Sequence, residues 1–202
     1  MKDLNELHYF LGIEVIQTLD GFLLSQWHYV LNFLYKFGMT ECKSITRALD
    51  RNMKLIVNSG KCCEPTQYRQ IIRTLIYLTN TQPDLSYPVR LLSQFMETHR
   101  DTHMDFAKRV LCYVSGTLDY GIFYKRGVPL RLEDFTDVDL AGNTSDMRST
   151  SGFMFSLGSG AISWSGKKQP TVTLSSTEAE NRATTVVACE VVWLRRLLKD
   201  LN

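Results

Sequence analysis

The spacing of apolar residues changes near Tyr120, and this change constrains the fold more than any single motif does. Before Tyr120, apolar side chains recur at helical spacing in three segments. These predicted amphipathic helices span residues 66–79, 84–98 and 101–115. After Tyr120, the side chains alternate with the two-residue period of strands. The predicted strands span residues 121–124, 130–139, 151–157 and 161–165, and the last three form a meander. The pattern therefore predicts a fold that mixes helices and strands, α/β in the broad sense and α+β in its arrangement along the chain.

A β-hairpin and one further helix are predicted ahead of these segments. The apolar runs 9–17 and 22–25 flank Asp20-Gly21, and this dipeptide favours a tight hairpin turn. A helical pattern follows over residues 26–37 and ends at a glycine. Residues 39–65 lack a sustained period and are predicted to form a long loop.

Composition excludes several classes of protein. The 202 residues carry a net charge of +2, which gives no strong field for a nucleic acid or a membrane surface. The N-terminus lacks the apolar region of a secretory signal, and no apolar run is long enough to span a bilayer. We therefore expect no membrane partner and an intracellular location, in the cytoplasm or the nucleus. The five cysteines lack CxxC spacing, which favours a reducing compartment over a disulfide framework.

Three acidic residues are the best candidates for a metal site. Asp137 and Asp139 share one face at the end of the strand 130–139. Glu180 lies near the start of a helix predicted over 177–201. Carboxylates on rigid elements can position a divalent cation that activates water. The alternative is that the strand acids only solubilise a strand end and that Glu180 only interacts favourably with the helix dipole.

Other polar groups suggest structural roles. His99 and His103 have helical spacing, but without a third ligand nearby we expect a solvated helix start rather than a metal site. Ser175 and Glu178 have the S-x-x-E spacing of a capping box, which favours capping over a nucleophile at Ser175. Trp164 could stack on a base, although core packing is the commoner role in a small meander.

Several motifs, all in one order along the chain, resemble copia-type LTR retrotransposon Pol polyproteins. The first set resembles the late part of the reverse transcriptase; it comprises MKDL-x-EL-x-YFLGIE at 1–14, FGM at 37–39, LIYLT at 75–79 and SQFM at 93–96. The second set resembles the ribonuclease H (RNase H) domain; it comprises RSTSGF at 148–153, ISW at 162–164, KKQP at 167–170, SSTEAE at 175–180 and WLRRLL at 193–198.

The resemblance implies three regions and a metal-dependent reaction. The regions are a reverse transcriptase remnant at 1–60, a helical connection at 61–119 and a truncated RNase H-like domain at 120–202. The resemblance also implies that Asp137 and Glu180 are the first catalytic aspartate and the catalytic glutamate, both binding Mg²⁺, with Asp139 a weaker candidate. The implied partners are an RNA–DNA hybrid and the rest of the Pol polyprotein.

The departures from the family pattern predict an inactive copy. We expect the paired polymerase aspartates to lie upstream of Met1 and the later nuclease aspartates beyond Asn202. The family usually has Trp where Leu140 stands and an aromatic residue where Asn181 stands. We therefore expect no independent polymerase or nuclease activity. Two alternatives remain: a repurposed binding or effector protein that docks a protein partner on an exposed strand edge, and an RNase H completed in trans.

Overall fold

The computed structural model describes residues 7–49, 60–139 and 148–201. The chain forms two compact units, Met1–Val128 and Pro129–Asn202. The predicted mixture of helices and antiparallel strands is confirmed, as are the N-terminal hairpin, the three-stranded meander and the long last helix.

The first unit contains a four-stranded antiparallel sheet. Its strands, in spatial order, are β1 (Tyr9–Phe10), β2 (Ile13–Gln17), β3 (Gly21–Ser25) and β4 (Gly121–Lys125). The predicted Asp20-Gly21 hairpin joins β2 to β3. The last strand is distant in sequence but pairs with β3, so that Leu23 lies opposite Phe123. This pairing places β4 in the first unit, although the sequence motifs group everything from residue 120 with the nuclease-like region.

The predicted strand over residues 9–17 is wrong as one continuous element. A turn at Leu11-Gly12 divides it into β1 and β2. Both residues have positive φ angles, 48° at Leu11 and 81° at Gly12, as a two-residue hairpin turn of the I′ kind requires. The Tyr77 hydroxyl donates a hydrogen bond to the Leu11 carbonyl, which stabilises a conformation that leucine rarely adopts.

The helices of the first unit follow the apolar pattern closely. They are α1 (Trp27–Lys36), α2 (Pro65–Leu78), α3 (Ser86–Ser93) and α4 (Asp101–Ser115), with a 3₁₀ turn at Pro83–Leu85 before α3. The Glu64 carboxylate caps α2 by accepting hydrogen bonds from the backbone N–H groups of Thr66 at 3.0 Å and Gln67 at 2.7 Å.

The helix predicted over 84–98 is shorter than the pattern suggests. The Ser93 hydroxyl donates to the Arg90 carbonyl at 2.7 Å, a local bond that competes with the helical ladder at the end of α3. The following residues form turns.

A large apolar core lies among the four helices of the first unit. Tyr68, Phe106 and Leu111 are fully buried in it. The Tyr68 hydroxyl donates to the Leu92 carbonyl at 2.8 Å, so the one polar group of this side chain is satisfied inside the core.

The second unit is one sheet covered by one helix. The strands β5 (Leu132–Asp139), β6 (Thr150–Leu157) and β7 (Gly160–Lys168) form an antiparallel meander in that order. The last strand extends to Lys168, beyond the predicted end at residue 165, because it continues to pair with β6 as far as Thr150. The helix α5 (Ser176–Leu201) packs on β5 and β6. No helix in the described part of the chain is both long and apolar enough to cross a membrane.

The core of the second unit is small. Its central cluster of buried residues is Phe155, Val187 and Leu194. Leu132, Phe153, Ile162 and Val191 pack around them and remain partly exposed. The helix α5 supplies Val187 and Leu194 and also buries Ala179 and Ala183, while β6 supplies Phe155, so the helix and the sheet depend on each other for their burial.

Candidate functional site

Asp137 lies two residues before the C-terminal end of β5, and its side chain is exposed. One oxygen of its carboxylate accepts a hydrogen bond from the next backbone N–H, that of Val138, at 2.9 Å. Asp137 pairs with Gly152 of β6, which in turn pairs with Gly166 of β7. Because glycine has no side chain, the Asp137 carboxylate borders a bare strip of the sheet formed by Gly152 and Gly166.

The strand register determines which face carries Asp137. Leu132 contacts the buried cluster beneath α5, so its face of β5 is the one that the helix covers. Phe153 and Phe155 share that face, because they pair with Thr136 and Asp134 of β5. Side chains alternate along a strand, and Asp137 is an odd number of residues from Leu132. Asp137 therefore lies on the open face, away from α5.

Glu180 lies one turn inside α5 and is exposed. The predicted capping box precedes it: the Ser175 hydroxyl accepts from the Glu178 N–H at 3.2 Å, and the Glu178 carboxylate accepts from the Leu174 N–H at 3.0 Å. That backbone hydrogen bond, followed by the Arg182 guanidinium at 2.8 Å, lowers the pKa of Glu178. The cap fixes where the helix starts and therefore where Glu180 stands.

Gln169 joins the two elements that carry the acids. Its buried side-chain amide donates to the Ser151 hydroxyl at 2.8 Å and to the Ala179 carbonyl at 2.9 Å. Ser151 pairs with Val138, next to Asp137, and Ala179 precedes Glu180. The amide thus holds the start of α5 at the end of the sheet where Asp137 lies. The sequence pattern does not predict this role, and its one signal is the glutamine inside the motif KKQP.

The two acids lie on different elements at the same end of the second unit: Asp137 is on the open face of β5, and Glu180 is on the helix α5. The helix that carries Glu180 covers the face opposite that of Asp137. Among the described residues, no group of three or more His, Cys, Asp or Glu side chains is arranged to hold a metal ion. The side chain of Asp139 and the whole of Leu140 lie outside the described residues. Asn181, which follows Glu180, is exposed.

The open face next to Asp137 has an apolar border. Phe135, Met154 and Trp164 form a cross-strand row, one pleat away from the glycine strip. Phe135 is 54% exposed and Met154 is 36% exposed, whereas Trp164 is half-buried. A flat strip beside exposed apolar side chains is suited to contact with a planar ring or another backbone.

The sequence predicts that His99 and His103 lie at a solvated helix start, and this prediction is wrong. Both are buried. The imidazole of His99 stacks on Tyr68 with ring centroids 4.7 Å apart, and that of His103 stacks on Phe95 at 4.1 Å. The Nδ1 atom of His103 accepts from the Arg100 N–H at 2.9 Å and so caps α4. The burial of these rings reflects core packing and helix capping.

Comparison with known proteins finds several relatives whose alignments include all or nearly all of this chain. Over 203 aligned residues, the chain is 45% identical to the retrovirus-related Pol polyprotein from transposon RE2 of Arabidopsis thaliana; the alignment includes all of this chain and 14% of that polyprotein. It is 42% identical over 193 residues to the uncharacterized mitochondrial protein AtMg00810 of the same plant, with 96% of this chain and 80% of that protein aligned.

A third relative has a different kind of name. Over 128 residues, the chain is 42% identical to the secreted RxLR effector protein 161 of Plasmopara viticola, and the alignment includes 63% of this chain and 90% of that protein. No protein-family model and no solved structure matches the chain.

The sequence motifs and the similarity over the whole chain indicate the same family. The order of the motifs runs through both structural units, and the similarity to the RE2 polyprotein extends over the whole chain, which spans about a seventh of that polyprotein. The chain belongs to the copia-type family of retrovirus-related Pol polyproteins from transposons.

Proposed function

We propose that this chain is a Pol-derived module from the region where the reverse transcriptase meets RNase H, and that its second unit does not cleave RNA by itself. The second unit would be an RNase H-like fold in which Asp137 and Glu180 are remnants of the metal-binding acids. The observation that carries this proposal is the strand register, which puts Asp137 on the open face while α5 covers the other face.

The proposed inactivity has a physical basis. Cleavage of a phosphodiester by two metal ions requires the ions to lie roughly 4 Å apart, bridged and flanked by several carboxylates. Mg²⁺ demands near-octahedral oxygen ligands and tolerates little distortion. Two acids on different elements each offer a separate carboxylate. They can attract single hydrated ions, but a bridged pair requires further carboxylates, from residues outside the described ranges or from another chain.

A hydrolysis assay tests the proposal. The full chain is incubated with a labelled RNA–DNA hybrid in Mg²⁺ and, separately, in Mn²⁺, beside the Asp137→Asn variant. We expect the two proteins to give equal, background rates. Asp134→Asn is the matched control, since Asp134 is also an exposed acid on β5 but lies on the other face. Cleavage that falls about 100-fold in Asp137→Asn and persists in Asp134→Asn would overturn the proposal.

The same assay distinguishes completion in trans. A second Pol-derived chain that supplies the missing carboxylates would produce cleavage only in the mixture. That cleavage would still depend on Asp137 and on Glu180, because the acids of both chains would then share the metal ions. Cleavage in the mixture alone would show that the chain is one half of a split nuclease rather than an inactive module.

A second candidate function is a binding role without catalysis. The similarity to a protein named as a secreted effector favours it, since 90% of that relative aligns with this chain. In the sheet of the described residues, β5 is an edge strand, and its exposed Phe135 gives that edge an apolar side chain. An exposed edge offers backbone groups for pairing with a strand of a partner protein.

Two substitutions separate the binding role from a vestigial metal site. Phe135→Lys introduces a charge beside the edge without removing a buried side chain, and we expect it to abolish recovery of a defined partner in a binding assay. The Asp137→Asn, Glu180→Gln double variant should bind that partner normally. Binding that depends on the acids rather than on Phe135 would reject the edge as the docking surface.

A further inference from the structure

A short arm of the first unit packs along the C-terminal end of α4. We define the arm as residues 39–49, which follow α1. The Ile45 N–H donates to the Cys112 carbonyl at 3.3 Å. One turn later on α4, the Ser115 hydroxyl receives a hydrogen bond from the Cys42 thiol at 3.2 Å. The arm is therefore attached to α4 by two polar contacts near one cysteine of the helix.

The Cys42 and Cys112 thiols are neighbours in this contact. Both side chains are half-buried and both thiols are free. Ser115, which Cys42 contacts, donates its own hydroxyl hydrogen to the Cys112 carbonyl at 2.9 Å, so Cys42 lies over the turn of α4 that contains Cys112. Burial, followed by the hydrogen bond and the charge of the adjacent Cys42, raises the pKa of the Cys112 thiol to about 11.

We propose that Cys42 and Cys112 form a reversible disulfide that fastens the arm to α4. The oxidant is a small-molecule disulfide such as oxidised glutathione. The Cys42 thiolate attacks it, forming a mixed disulfide and releasing one reduced thiol. The Cys112 sulfur then loses its proton and attacks Cys42, which expels the second reduced thiol. The protein loses two hydrogens and the oxidant gains them, so the exchange balances.

The first attack belongs to Cys42 because Cys112 remains protonated near neutral pH. A thiol whose pKa is about 11 forms little thiolate at pH 7, and the thiolate is the attacking species. The second attack becomes intramolecular once Cys42 carries the mixed disulfide, because the Ile45 N–H bond to the Cys112 carbonyl keeps the arm against the turn of α4 that contains Cys112. The same raised pKa predicts that closure of the disulfide accelerates as the pH rises above neutral.

The disulfide would control one wall of a surface cavity. Arm residues Thr46, Arg47, Ala48 and Leu49 line one side of a cavity of about 370 Å³, and Asp84, Tyr87, Pro88 and Tyr113 line the other. The Tyr113 hydroxyl donates to the Asp84 carboxylate at 2.6 Å and so fixes the second side. Fastening the arm at Cys42 would hold the cavity in one shape, and reduction would release that wall.

Peptide mapping tests the pairing. The full chain is treated with oxidised glutathione in a Cys62→Ser, Cys63→Ser, Cys189→Ser background, which leaves only the proposed pair. We expect a Cys42–Cys112 linked peptide that disappears on reduction. Stable glutathione adducts on Cys42 without the internal link, in a chain that remains folded, would overturn the proposal.

Limited proteolysis tests the effect on the arm, and uses the full chain with its native cysteines. Lys43 and Arg47 are exposed trypsin sites within the arm. We expect oxidation to slow cleavage at both sites by about tenfold, because a fastened segment opens less often. The Cys112→Ser variant retains a hydroxyl in place of the thiol and should show no difference between oxidised and reduced samples. Equal cleavage rates in the oxidised and reduced native chain would also overturn the proposal.

Discussion

The two units of this chain bury their apolar side chains on very different scales. In the first unit, four helices surround a core in which Tyr68, Phe106 and Leu111 are fully buried. In the described part of the second, one sheet and one helix bury a smaller cluster around Phe155, Val187 and Leu194. Because the stability of a domain grows with the apolar surface that it buries, the unit that carries the candidate acids rests on the smaller core.

Specific polar contacts also join the elements of the second unit. Gln169 joins β6 to α5, and the buried Ser149 and Thr173 hydroxyls lie 3.0 Å apart. Glu190 of α5 also accepts from the Ser163 hydroxyl of β7 at 2.6 Å. The difference between the units teaches that the acids are positioned by a few specific bonds, whereas the helices of the first unit are positioned by a broad apolar interface.

Truncation of the central side chain of the second unit should have the largest effect. Phe155→Ala removes a fully buried aromatic ring between the sheet and α5, and we expect the whole second unit to lose its protection against hydrogen exchange. Exchange measured by mass spectrometry should leave the peptides of α2 and α4 protected. Met154→Ala, on the open face, is the control and should preserve both units.

Truncation in the larger core should weaken the first unit without unfolding it. Phe106→Ala removes a fully buried ring from α4, and the expected loss is about 3–5 kcal/mol in the free energy of unfolding. Chemical denaturation measures this loss, with Tyr35→Ala as a control at a position that is 81% exposed. A first unit that unfolds completely in Phe106→Ala would contradict the contrast between the two cores.

Removal of the polar joint should have an intermediate effect. Gln169→Ala deletes two hydrogen bonds that hold the start of α5, and we expect the second unit to lose about 1–3 kcal/mol of stability. Hydrogen exchange should increase first in the opening turns of α5. The exposed Gln17→Ala serves as the control. An unchanged exchange rate in α5 would show that the apolar contacts alone position the helix.

The two helix-capping glutamates should give the smallest effect, and the effect should depend on pH. Backbone hydrogen bonds lower the pKa of Glu64 at α2 and of Glu178 at α5 below their ordinary value of 4.5. A lowered folded-state pKa means that the stabilisation is present above pH 4.5 and is lost as the pH falls through the lower value.

The pH effect can be measured as a difference in Tm. Wild type should exceed Glu64→Gln in Tm at pH 6, and the gap should narrow towards pH 3. Glu178→Gln should behave in the same way for the transition of the second unit. A gap that widens on acidification would show that the carboxylates stabilise the helices in their protonated form.

Much of the local structure could be predicted from the sequence because it depends on neighbouring residues. The spacing of apolar residues predicts α4 at Asp101–Ser115, the bounds that the structure has. The pairing of β4 with β3 could not be predicted, since strands about a hundred positions apart in sequence leave no local signal. The Leu11-Gly12 turn was missed because leucine is a poor marker for a positive φ angle.

The candidate site was predictable only in part. The two-residue period correctly groups Phe135 with Asp137 on one face of β5. The period does not reveal which face α5 covers, because Phe135 is apolar and suggests a buried side although it is exposed. Likewise, the imidazole of His99, which lies outside the helices, stacks against Tyr68 of α2. Metal binding by Asp137 and Glu180 stays a prediction.

The proposal that Asp137 and Glu180 do not share a metal ion is tested most directly by a Mn²⁺ titration followed by amide NMR. Paramagnetic Mn²⁺ stands in for Mg²⁺ and broadens the signals of nearby amides. Two separate carboxylates predict two independent weak sites, so Asp137→Asn should remove the broadening at Val138 and leave that at Asn181 unchanged. Loss of broadening at both positions from this single substitution would reveal a shared ion and contradict the separation of the two acids.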